Sequence, residues 1–69
     1  MLTITKGIYR ATLEDGPGGV VVTLYERARR GAVMISPYRE VHRDVLDAPF
    51  HVVCDRVHDL VVQLAWGAR

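Results

Sequence analysis

Of its 69 residues the chain spends one on cysteine (Cys54), one on lysine (Lys6), one on serine (Ser36) and none on asparagine. A single thiol excludes an internal disulfide framework, the usual brace of a very small domain. A single serine leaves little room for serine nucleophile chemistry, and Ser36 precedes a proline in the manner of a helix cap. Eight arginines stand against the one lysine. Arginine codons can be GC-rich while lysine and asparagine codons are AT-rich, so the expectation is a bacterial or phage coding sequence. No apolar run approaches the roughly 20 residues of a membrane helix. The opening MLTITKGIYR lacks the basic-then-apolar layout of a signal peptide. A soluble cytoplasmic protein without a membrane partner is expected, and a lone thiol suits that compartment.

What remains is globular in composition, with 49% hydrophobic and 25% charged residues. Residues 1–69 read as a single small domain. A chain this short buries only about 60% of the surface its unfolded form exposes, so its core needs support. With disulfides excluded and a closed zinc site lacking four ligands at metal spacing, oligomerisation is the ordinary remedy. A homodimer is therefore expected. Net charge is only +1, but it is polarised: residues 1–43 carry +3 and residues 44–69 carry −2. Such asymmetry can orient a partner without demanding a polyanion.

Leu2 to Leu13 alternates as a strand whose parity slips near Lys6-Gly7, which a bulge at Gly7 would reconcile. Glu14 to Gly19 is the strongest turn signal, and Val20 to Arg29 reads as the returning strand. Arg30-Gly31 suggests a second turn and Ala32 to Ser36 a short third strand. Tyr38, Val41 and Val45 have helical spacing behind Ser36-Pro37, predicting a short helix over Pro37–Leu46. Asp47 to Gly67 then reads as a long amphipathic helix. Asp47 is its expected N-cap, Pro49 falls in the first turn, and Gly67 is its expected left-handed C-terminal cap. Phe50, Val53, Cys54, Val57, Val61, Leu64 and Ala65 form its apolar face. The competing reading, two strands at Phe50–Cys54 and Leu60–Ala65, rests on the valine pairs but lacks a hairpin turn between them. The expected fold is α+β: a three-stranded antiparallel meander, a short helix, and a long C-terminal helix packed on the sheet.

Few arrangements suggest catalysis. His51, Asp55 and His58 lie on one helical stripe and are the candidate metal ligands. No HExxH or CxxC accompanies them, and Cys54 falls in the apolar arc as a small hydrophobe. The glycines at 16–19 precede a strand and no Gly-Lys-Ser/Thr follows, unlike a phosphate loop. No enzyme, cofactor or metal site is expected.

Arginine is more informative. Arg27, Arg29 and Arg30 cluster near Tyr25, while Arg39 and Arg43 stand four apart beside Tyr38 and His42. Glu40 can neutralise Arg43 locally; the alternative is a bidentate clamp for a carboxylate or phosphate on a partner. Tyrosine and arginine are also the types enriched at binding hot spots. Val52, Val62 and Trp66 are apolar residues on the supposed solvent side of the long helix, and suggest the dimer seam. The expected function is stoichiometric protein binding by a small regulator or inhibitor, through Tyr38, Arg39, Arg43, Arg27, Arg29 and Arg30. The alternative is nucleic-acid binding by the same arginines. The strand-helix-helix order resembles that of ribbon-helix-helix repressors, but Ala32–Ser36 lacks base-reading side chains. Asp55 and Asp59 on the second helix would also repel phosphates.

Overall fold

A computed structural model describes residues 1–27 and 37–67. The described residues form four strands, β1 (Leu2–Lys6), β2 (Tyr9–Gly16), β3 (Gly19–Arg27) and β4 (Tyr38–Leu46), followed by one helix, α1 (Phe50–Gly67). The strands make one antiparallel sheet in the order β1-β2-β3-β4. The α+β class stands, with four described strands where three were expected and further corrections inside it.

The first correction concerns Gly7. The parity slip there is a chain reversal, not a bulge: Lys6 pairs with Tyr9 and Leu2 with Leu13. Gly7 has φ +58°, which suits the first central position of a tight two-residue hairpin. A slip of phase in the alternation has two solutions, and the hairpin is the one that pairs the main chains of ten residues. The turn signal at 16–19 does close a hairpin, with Gly16 opposite Gly19.

The second correction replaces the short helix over Pro37–Leu46 by strand β4. Helical spacing of Tyr38, Val41 and Val45 carried that expectation, yet Val41 and Val45 are exposed, at 43% and 47%. They therefore do not mark a buried helical face. Pairing with β3 satisfies the main-chain groups that the two strands turn toward each other, and that tertiary gain overrides a weak local preference. The pairing contains an irregularity: Leu24 faces His42 but Tyr25 faces Glu40, leaving Val41 as an extra residue, a β-bulge. The expected turn at Arg30-Gly31, the Ser36 cap and the strand Ala32–Ser36 lie outside the described residues.

One continuous helix spans Phe50–Gly67, as the apolar stripe predicts, and the two-strand alternative is excluded. Its ends differ from expectation. The Val52 and Val53 amides both donate to the Pro49 carbonyl, at 3.0 and 3.1 Å, so the helix starts after Pro49 and Asp47 is not the N-cap. Gly67 stays within the helix and is not among the positive-φ glycines. Val53, Val57 and Val61 of α1 are buried against Ala11 and Leu13 of β2 and Val20 of β3. Ile4, Tyr9, Val22, Leu24, Leu46, Ala48, Phe50 and Cys54 pack around this core. The helix lies mainly over β1 and β2. Near its end, Ala65 comes so close to Gly7 that a Cβ there would be 3.8 Å away. No helix among the described residues is long and apolar enough to cross a membrane.

Candidate functional site

Because α1 covers one side of the sheet, the alternation along each strand decides what the other side shows. Core residues Ala11, Leu13 and Val20 point toward the helix. Their chain neighbours therefore form the open face, arranged in cross-strand rows by the register. One row runs Thr3, Thr12, Thr23, Arg43; the next runs Thr5, Arg10, Tyr25, Glu40; Arg27 and Tyr38 form a third. Thr23 sits at the centre of this face and is only 4% exposed.

Arg10 and Tyr38 belong to strands that each neighbour β3 but not one another, yet their side chains meet on the open face. The Arg10 guanidinium carbon lies 4.0 Å from the Tyr38 ring centroid. Arg27 approaches the same ring at 5.4 Å. Both distances fall within cation–π range, where a guanidinium is attracted by the ring's quadrupole. Arg10 also donates from Nε to Thr5 Oγ1 at 3.3 Å. Two guanidiniums on one ring concentrate positive charge at a single point of the face. Glu40, in the adjacent row, is engaged by Arg43 at 3.1 Å. Beside the cluster opens a cleft of 290 Å³ lined by Met1, Thr3, Arg10, Thr12, Tyr25 and Tyr38. It is concave and mixed in polarity, and at the lower end of small-molecule pocket sizes.

The structure redistributes the residues expected to bind. Tyr38 and Arg27 come together as described. Arg43 shares their face but is tied to Glu40. Arg39 does not share it: its cross-strand neighbour is Glu26, on the helix side of the sheet. The expected clamp of Arg39 and Arg43 one helical turn apart does not form, because the segment is a strand and its bulge puts them on opposite faces. Arg29 and Arg30 lie outside the described residues. Arg10 is the member that sequence reasoning missed. Reading Leu2 to Leu13 as one strand misplaces its surroundings, although its place in the polar parity of Tyr9–Leu13 was the signal.

Val52 and Val62 are half-buried on α1, and Trp66 is 62% exposed. They share one stripe at three-and-four spacing, but Asp55 and Asp59 occupy its middle, so it is not a continuous apolar seam. His51, Asp55 and His58 are all exposed. His58 Nδ1 lies 3.9 Å from Asp59, and Cys54 packs against the core. No group of three or more His, Cys, Asp or Glu residues placed to hold a metal occurs among the described residues. The chain matches no protein-family model, no curated protein and no solved structure, so the functional reading rests on the geometry.

Proposed function

We propose that the chain is a small non-enzymatic regulatory or inhibitory protein, acting by stoichiometric binding to another protein through its open sheet face. The observation that carries this reading is the Arg10–Tyr38–Arg27 cluster at the rim of the cleft, on a face that α1 leaves uncovered. An acidic side chain from a partner would relieve the repulsion between the two guanidiniums and gain charge-assisted hydrogen bonds. The tyrosine ring holds Arg10 in place beforehand, which lowers the entropy lost on binding. Tyr25, Thr3 and Thr12 supply further area and hydrogen-bonding hydroxyls. The arginine-for-lysine bias favours a bacterial or phage-encoded regulator.

Nucleic-acid binding is the second reading, favoured by an open sheet carrying Tyr25 and Tyr38 beside arginines. Against it, the Tyr38 ring is already engaged by Arg10, and a base would have to displace that contact to stack. The small net charge also fits a protein contact better than a polyanion.

The test is an affinity pull-down from lysate of the encoding cell with wild type, Tyr38→Ala and Arg10→Ala in parallel. The expected result is a stoichiometric protein partner retained by wild type and lost by both variants, all three remaining folded by circular dichroism. A gel-shift titration against salt runs beside it. A salt-sensitive shift with oligonucleotides, abolished by Arg10→Ala, would replace the protein reading with the nucleic-acid one. Retention of the same partner by both variants would refute the site.

A further inference from the structure

We infer that β4 is a self-pairing edge: two copies of the chain join through it, antiparallel, about a two-fold axis between Val41 and His42. The inference stands apart from the open-face reading, since it concerns the rim of the sheet. Among the described residues β4 is the last strand in the sheet order, with β3 on one side only, so alternate residues of this nine-residue strand present main-chain groups at an edge. Unpaired edges of this length invite another strand. The Val45 amide donates to the carboxylate of its own neighbour Asp44, at 2.8 Å. The tight turn that sets Gly16 opposite Gly19 makes Val20, Val22 and Leu24 bond toward β4, so Leu46, Asp44 and His42 face inward and the amides of Val45 and Arg43 face outward.

The bulge then sets the register. In a regular strand Glu40 and Arg43 would point to opposite faces, but the extra residue Val41 brings them to the same one, where they meet at 3.1 Å. Across the bulge the phase slips by one, so Glu40 and Tyr38 join Arg43 and Val45 as outward-facing and open-face residues. A two-fold axis perpendicular to the sheet pairs residues that share a face. Centred between Val41 and His42, it sets Glu40 opposite Arg43, Arg39 opposite Asp44, and Tyr38 opposite Val45 of the second copy. Each charged pair is of opposite sign, and each occurs twice. Val41 and Val45, both exposed, are covered in the same step.

Charges and bulges ordinarily blunt an edge against indiscriminate pairing. Here their order makes the edge complementary to itself while keeping it unfavourable to strands of other sequence, which is selectivity by repulsion of the wrong partner. The product is one continuous sheet, the four strands of each copy joined edge to edge, with both open faces on the same side. Two Arg10–Tyr38–Arg27 clusters would then be presented together, making any partner contact bivalent.

Sedimentation equilibrium of wild type, Arg39→Asp and Asp44→Arg, alone and mixed, tests the pairing. Wild type is expected to dimerise. Each variant alone sets like charges opposite each other at two symmetric places and should dimerise about tenfold more weakly, the scale of cross-strand charge pairs. An equimolar mixture should recover near-wild-type association, because each exchanged side chain then faces the opposite charge on the other variant. A monomeric wild type, variants that dimerise as well as wild type, or a mixture that fails to recover would each overturn the proposal. Hydrogen exchange on wild type needs no variant. The amides of Tyr38, Glu40, Arg43 and Val45 should be protected at high protein concentration and lose that protection on dilution. Equal exchange at both concentrations would overturn it as well.

Discussion

Replacing Gly19 by alanine tests the place where the sheet hands the chain over to the helix. Gly19 opens β3 with φ +142°, a conformation that L side chains rarely adopt. A Cβ built there overlaps the Leu46 carbonyl group, lying 2.8 Å from its carbon and 3.1 Å from the Asp47 nitrogen. Neither atom can swing aside as a flexible side chain would. Leu46 is paired with Val20, a core residue, and its carbonyl accepts the Ala48 amide at 3.0 Å in the bend leading into α1. To admit the methyl group, β3 and β4 must separate at their paired end, disturbing both the core and the aim of the helix. The unfavourable backbone costs about 1–3 kcal/mol, and the forced overlap adds another ~1–3 kcal/mol. Stability for a domain of this length is on the order of 3–10 kcal/mol, so the Gly19→Ala protein should be largely destabilised. Gly18→Ala is the matched control. Its φ is +89°, but a Cβ there meets nothing within 4 Å, so it should lose only about 1–2 kcal/mol. Urea denaturation at one fixed protein concentration, followed by far-ultraviolet circular dichroism, measures both. Equal midpoints for the two variants would show that the close approach of Gly19 to Leu46 is not there.

The remaining predictions concern the core and the open face. Leu13→Ala, at a fully buried position between β2 and α1, should cost about 2–5 kcal/mol by the same urea assay. Tyr38→Ala removes a half-exposed cation–π contact and should lower stability by no more than about 1 kcal/mol, while abolishing partner binding in the pull-down. Arg10→Lys keeps the charge but loses the planar stack on Tyr38, and is expected to bind more weakly than wild type in a direct titration against the captured partner. Glu40→Ala breaks an exposed pair in which the Arg43 and Glu40 side chains are 60% and 47% accessible. Its effect on the stability of the monomer should be under about 1 kcal/mol by urea denaturation.

Elements with a strong local signature were legible from the residues alone. The apolar stripe from Phe50 to Ala65 keeps helical spacing with no hairpin turn to break it, and α1 follows it. The Gly16–Gly19 turn likewise needs no outside information, because a proline and three glycines tolerate little else. Legibility ended where one pattern had two solutions. Alternation with a phase slip at Gly7 fits a bulged strand as well as a hairpin, and only pairing of Leu2 with Leu13 distinguishes them. Tyr38, Val41 and Val45 suit a helix by spacing, but their segment is held as a strand by β3.

The candidate site follows the same division. The sequence by itself showed where arginine and tyrosine, the types enriched at binding hot spots, stand close together along the chain. It also determined that the long helix would cover one side of a sheet. Which arginines come together was decided only by the tertiary structure. Arg10 and Tyr38 are 28 positions apart and on strands that are not neighbours, so no local rule could join them. Arg39 and Arg43, four apart, are separated by a bulge of one residue. Side-chain direction in a sheet depends on strand pairing and phase, which are properties of several segments at once, whereas helical periodicity is written within a single segment.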